Sequence, residues 1–304
     1  MGDKDSSGTP TPRVPLGGDY WQVDPGTELW GFADLHAHLM AHLTFGGNAF
    51  WGLPYDPELT GDAALEHALA SCEPIHGGLI SVNPEFGHPA GGGWPDFIIW
   101  PRFTTLVHQQ AYVDWIYRAY QGGLRLITCL AVNNELLGTR SNPSVPTDDR
   151  SAIERQTIAM KEMVAHLDRL AGGPGQGWLQ IAYSADEARA IIKADKLAVV
   201  LGVEVDSLGN WRRLEDLQAA CGDDLDRARL IIGAELDWLH GLGIRQITPI
   251  HLTDNAFGGT AVYMRLLDIL NVFVTGRHYD VENAWESGIR YRLDRDGDDV
   301  ADSA

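Results

Sequence analysis

Two stretches of the chain are almost unbroken in apolar residues, Leu124–Val132 and Leu197–Val205. Strands apolar on both faces are characteristic of parallel sheets covered by helices. Between and beyond them, apolar positions recur at helical spacing. This predicts helices over Thr105–Tyr120, closed by Gly122 and Gly123, and over Asp149–Leu170, with Ile153, Ile158, Met160, Met163 and Leu167 as its core side. Leu179–Ser184 reads as a short strand. Ser184 then caps a helix running through Ile192, with Glu187 three residues on as the second half of a capping box. A helix over Asp224–His240 with Gly241 at its C-terminal cap, a strand over Ile244–Leu252 and a helix over Ala261–Val274 complete the rhythm.

The first strand is expected at Leu29–Leu35. With it the strands fall near residues 30, 127, 181, 200 and 248. Strand and helix alternating in this way predict an α/β fold of the (β/α)8 TIM-barrel type, incomplete, with about five β/α units. Residues 1–18, rich in Ser, Thr, Pro and Gly, are expected to form a flexible leader. Residues 19–292 form the partial barrel, and residues 293–304 an acidic C-terminal segment. Within the barrel, residues 44–101 carry many glycines and prolines and read as an insertion with one short helix near Asp62–Ser71.

Composition narrows the partners. The chain has 304 residues and a formal net charge of -19, which argues against nucleic acid and anionic membrane surfaces. Cys72, Cys129 and Cys221 do not form a disulfide framework, and Cys129 lies in an apolar run as a buried small side chain. Residues Met1 to Arg13 lack an apolar signal core, so the expected compartment is the cytoplasm.

In barrels of this kind, functional groups gather where the strands end. The first strand ends in Asp34, His36 and His38, the second in Asn133 and Asn134. The fourth ends in Glu204 and Asp206, and the fifth in His251, followed by Asp254 and Asn255. Residues two apart on a strand face the same side, so His36 and His38 can address one cation. Imidazole nitrogen suits zinc. A hydrogen-bonded histidine pair is the structural alternative. Glu204 follows a buried run, where a carboxylate is costly without a cation or a donor. A shared ion accounts for both features. Among the other histidines, His42 is close enough in sequence to line the same pocket, whereas His166 and His240 are expected at a helix surface or end.

These strand ends resemble a known family. Lys196-Leu-Ala-Val-Val-Leu-Gly-Val-Glu204 is similar to the fourth-strand region of the membrane dipeptidase (renal dipeptidase) family. The segment Leu236 to His251, with its Gly-Ile-Arg turn, resembles that family's helix, turn and histidine-bearing strand. Ala33-Asp-Leu-His-Ala-His38 resembles the opening metal motif of the wider amidohydrolase superfamily. The resemblance implies two divalent metals, usually zinc. His36 and His38 would bind the first, Glu204 would bridge both, and His251 would contact the substrate carbonyl or oxyanion. The implied reaction is attack of a metal-activated hydroxide on an amide bond, with a dipeptide or related small molecule as substrate.

Two differences qualify the transfer. The family has His-x-Asp where this chain has His-x-His, and Thr-His-Asn where it has Ile-His-Leu. The family's further histidines have no counterpart beyond His278. The expectations therefore include other amidohydrolase reactions: opening of a lactone or cyclic amide, or deamination. They also include an inactive truncated metal-binding remnant, with self-association or a missing C-terminal half completing the sheet. Finally, Asp294, Asp296, Asp298 and Asp302 resemble a calcium-binding aspartate loop. Asp299 stands where such loops place a second glycine, and no closing glutamate follows, which favours a solvated acidic turn.

Overall fold

A computed structural model describes residues 29–47, 49–72, 92–98, 100, 107–260 and 265–279. The leader and the acidic segment with Asp294, Asp296, Asp298 and Asp302 lie outside the described residues. In chain order the elements are β1 (Phe32–Ala37), α1 (Gly61–Ala68), α2 (Val113–Gln121), β2 (Leu124–Asn133), α3 (Glu135–Ser141), α4 (Asp149–Leu170) and β3 (Leu179–Ile181). There follow α5 (Ala185–Lys193), β4 (Leu197–Val205), α6 (Leu214–Cys221), α7 (Leu225–Leu242), β5 (Gln246–Thr248) and α8 (Arg265–Thr275).

The described residues form an α/β fold around a parallel sheet. β1 pairs with β2 and β2 with β4. The far edge of β4 is shared: β3 pairs with its beginning and β5 with its end. The two long apolar runs thus form the sheet's centre, both nearly buried throughout, while β1 lies at an edge and is exposed over its first five residues. Odd-numbered residues of β4, from Leu197 to Val205, join a core with Ile153, Met160, Met163 and Leu167 of α4. Even-numbered Ala198 packs instead with Ala188 and Ile192 of α5. Strand alternation therefore puts helices on both faces.

Most element predictions hold, and the departures have local causes. Ile158 is exposed, because the buried stripe of α4 runs through Ile153, Met160, Met163 and Leu167 and leaves it on the opposite side. α2 begins at Val113 rather than near 105, after a stretch in which His108 bridges to Trp51. α7 continues to Leu242 and ends on Gly243, whose φ of 98° closes the helix in the left-handed region. β5 is cut to Gln246–Thr248, since Pro249 has no N–H to continue a ladder. Helices α3 and α6 have no counterpart in the predicted pattern. No helix among the described residues is long and apolar enough to cross a membrane.

The cap at Ser184 forms as read: its Oγ accepts from Glu187 N at 3.1 Å. The reciprocal arm differs, because the Glu187 carboxylate accepts from Tyr183 N at 2.7 Å instead of Ser184 N. Ser184→Ala is expected to lower stability by about 1 kcal/mol. Urea unfolding checks this, and an unchanged midpoint would show that the Glu187–Tyr183 arm alone holds the helix start.

Candidate metal centre

The site is assembled from the C-terminal ends of β1 and β4. Register brings them together: Ala37 sits beside Cys129, and Val132 beside Glu204. Between Asp34 and Ala37, β1 carries an irregularity in its pairing with β2. Such a bulge re-aims the side chains within it, and here His36 lies inside it. The Asp34 carboxylate steadies the turn by accepting from His36 N at 3.0 Å. Glu204 is an even-numbered residue of β4, so it projects away from the core packed by α4.

Three side chains converge. His36 Nε2 lies 3.2 Å from His38 Nε2 and 2.9 Å from Glu204 Oε2. His38 Nε2 lies 3.3 Å from the same oxygen. Nitrogen and oxygen ligands about 2.0–2.1 Å from a tetrahedral zinc are separated from one another by about 3.3 Å. The group can hold a metal ion, and it is the one set of three or more such side chains found among the described residues.

Proton positions sharpen this. His38 Nδ1 lies 3.1 Å from the carbonyl oxygen of Leu130. A carbonyl only accepts, so Nδ1 carries the proton, and in the neutral ring Nε2 is a bare lone pair. That lone pair faces Glu204 Oε2, which is buried and makes no geometrically sound hydrogen bond despite its two imidazole neighbours. His38 Nε2 has a donor, since the hydrogen bond between the two imidazoles at 3.2 Å then runs from His36 Nε2–H to it, whereas the buried Glu204 Oε2 is left with none, which a cation would relieve. A backbone carbonyl fixing a histidine's far nitrogen is also the usual outer support of a metal-binding imidazole. Burial pushes the Glu204 carboxyl up, but the contact with His38 and the charges of His251, His36 and His38 outweigh it and hold it below the usual range.

His251 approaches from the chain after β5. Its Nε2 is 3.8 Å from Glu204 Oε1, the other carboxylate oxygen, and its ring is one-fifth exposed. It borders the group without belonging to the set of three. His36 is the most open of them, with its side chain 59 % exposed.

The remaining strand-end residues have other duties. Asn133 donates to Asp149 Oδ1 at 2.7 Å and accepts from Phe45 N, and Asn134 donates to Asp206 Oδ2 at 2.7 Å while capping α3 at Leu137 N. Asp149 is buried, and that burial pushes its carboxyl up to about 8 although Asn133 and Ser207 N pull the other way. His42 is outside the group of three, and its burial lowers it to about 4. His166, expected at the surface, is buried against Tyr55, with ring centroids 5.1 Å apart. His240 is exposed, as expected. The support that the sequence could not disclose is the Leu130 carbonyl, because a main-chain group leaves no residue-type signal. No protein-family model, no curated protein and no solved structure matches this chain.

Proposed function

We propose that the chain is a metal-dependent hydrolase of (β/α)8-barrel type that holds zinc through His36, His38 and Glu204 and cleaves an amide bond in a dipeptide or related small molecule. The observation that carries this reading is the buried Oε2 of Glu204, left without a hydrogen-bond donor and facing the Nε2 atoms of His36 and His38. When bound, the cation supplies Lewis-acid activation of water and of the amide carbonyl. Three protein ligands with one open side are the pattern of a catalytic rather than a structural zinc site, and the exposed flank of His36 provides that side. His251, against the other oxygen of Glu204, would donate to the substrate's carbonyl oxygen. In the dipeptidase-like reading, Glu204 would also be shared with a second zinc ion. The sheet is wholly parallel, with its chemistry at the ends of β1 and β4, an arrangement common to α/β barrels and open α/β sheets alike.

The experiment is elemental analysis of the purified chain, followed by a screen of dipeptides and lactones with Zn2+ present. Zinc at one or two equivalents, with amide hydrolysis that chelator removes, is the expected result. Absence of bound zinc would overturn the metal centre. Turnover of lactones alone would keep the centre and replace the substrate class.

A further inference from the structure

β4 ends at Val205, and the next residue, Asp206, is 1 % exposed. Its carboxylate is fully used. Oδ1 accepts from Leu252 N at 2.7 Å and from Thr253 N at 2.9 Å, and Oδ2 accepts from Asn134 Nδ2 at 2.7 Å. Its main-chain carbonyl accepts from Asn255 Nδ2 at 3.1 Å, and that amide also donates to Pro249 O at 2.6 Å. These bonds bracket His251 on both sides. The ladder of β5 cannot do this work, since it stops at Thr248. A carboxylate oxygen has the lone pairs to take two successive amides, and a neutral side chain of the same size has one oxygen for three donors. The commitment of both oxygens sets Asp206 apart from Glu204, whose Oε2 has no donor.

Resting on the reading of the metal centre, we infer that Asp206 is a positioning residue: it grips the chain just beyond His251 and so holds that imidazole against Glu204. Asp206 and Glu204 are two residues apart on one strand end. One rigid segment therefore carries both the metal-facing carboxylate and the anchor for the group beside it. Asn134 sets the orientation of the anchor, because its own oxygen is occupied by Leu137 N and only its Nδ2 is free to meet Asp206.

The test uses the full chain with 15N-labelled histidine and Zn2+ alone as probe. In the wild type, Zn2+ is expected to move the ring resonances of His36, His38 and His251. In Asp206→Ala, His36 and His38 still respond, while the His251 ring loses its distinct shift and its response. Should the alanine variant not fold, Asp206→Asn serves. It sets an N–H2 against Asn134 Nδ2, and adding Asn134→Asp restores a matched pair and is expected to bring the His251 signal back. A general loss of packing would lower the melting temperature without this selective loss or its rescue. A His251 shift and response identical to wild type in Asp206→Asn would overturn the proposal. If Zn2+ moves no histidine in the wild type, the metal reading fails by itself. The zinc-free spectra then decide: a His251 shift changed by Asp206→Asn and restored by the double exchange supports the anchor, and an unchanged shift overturns it.

Discussion

Replacing both imidazoles, in the variant His36→Ala with His38→Ala, is expected to abolish zinc binding while leaving the helical content intact. The two residues supply two of the three converging ligand atoms. A lone carboxylate at Glu204 retains at most weak, nonspecific affinity. The fold should survive because β1 is an edge strand, exposed over Phe32–His36, and neither ring belongs to the core built by β2, β4 and α4. The hydrogen bond lost at Leu130 O costs about 1 kcal/mol. Calorimetric zinc titration and far-ultraviolet circular dichroism together make the measurement. Zinc stoichiometry unchanged from wild type would remove the first-strand ligands from the proposal, whereas lost binding with collapsed ellipticity would show that β1 carries more of the fold than its exposure indicates.

The elements most legible in the sequence are those whose pattern is set by burial. β4 and α4 have the predicted bounds, Leu197–Val205 and Asp149–Leu170, and the β2 run extends only to Asn133. Continuous burial writes itself directly into residue type. Boundaries set by single hydrogen bonds were harder to read. α3 begins because the Asn134 side chain accepts from Leu137 N, yet Asn134 follows an apolar run and reads equally as a strand end. The end of α7 depended on which of two glycines, Gly241 or Gly243, takes a positive φ, and residue type alone does not choose. Strand order was also hidden. β3 and β5 sharing one edge of β4 is a matter of pairing, and the local sequence of each strand is the same whichever neighbour it meets.

The candidate centre divides in the same way. His36, His38 and Glu204 were readable because imidazoles at period two, and a carboxylate closing a buried run, are unusual for a strand with no polar partner. What made them a centre was not readable: the Leu130 carbonyl that fixes a tautomer, and the register that sets Val132 beside Glu204. Asp206 was visible only as another acidic strand end. Its side chain turns out to serve the backbone after β5, some 46 residues away in sequence. Polar residues at a strand end therefore divide into those left with an unpaired acceptor and those with every acceptor filled. The orphaned Oε2 of Glu204 and the saturated carboxylate of Asp206 are the two cases side by side.

That orphaned oxygen leads to a prediction in which affinity and stability move together. Glu204→Gln should weaken zinc binding by more than the roughly 10–100-fold typical of losing an outer support, because an anionic ligand is lost outright. The folded-state pKa of Glu204 is depressed, so its carboxylate contributes stability above the unfolded-state carboxylate range and loses it as pH falls through the folded value. A neutral glutamine contributes no such stability. In chelator the variant is therefore expected to be less stable than wild type at neutral pH, with the difference shrinking as pH falls through the carboxylate range. Urea unfolding of both proteins in chelator, at neutral and at acid pH, makes the comparison. A difference that does not change with pH would mean that the charge at position 204 gains nothing from its surroundings in the folded protein.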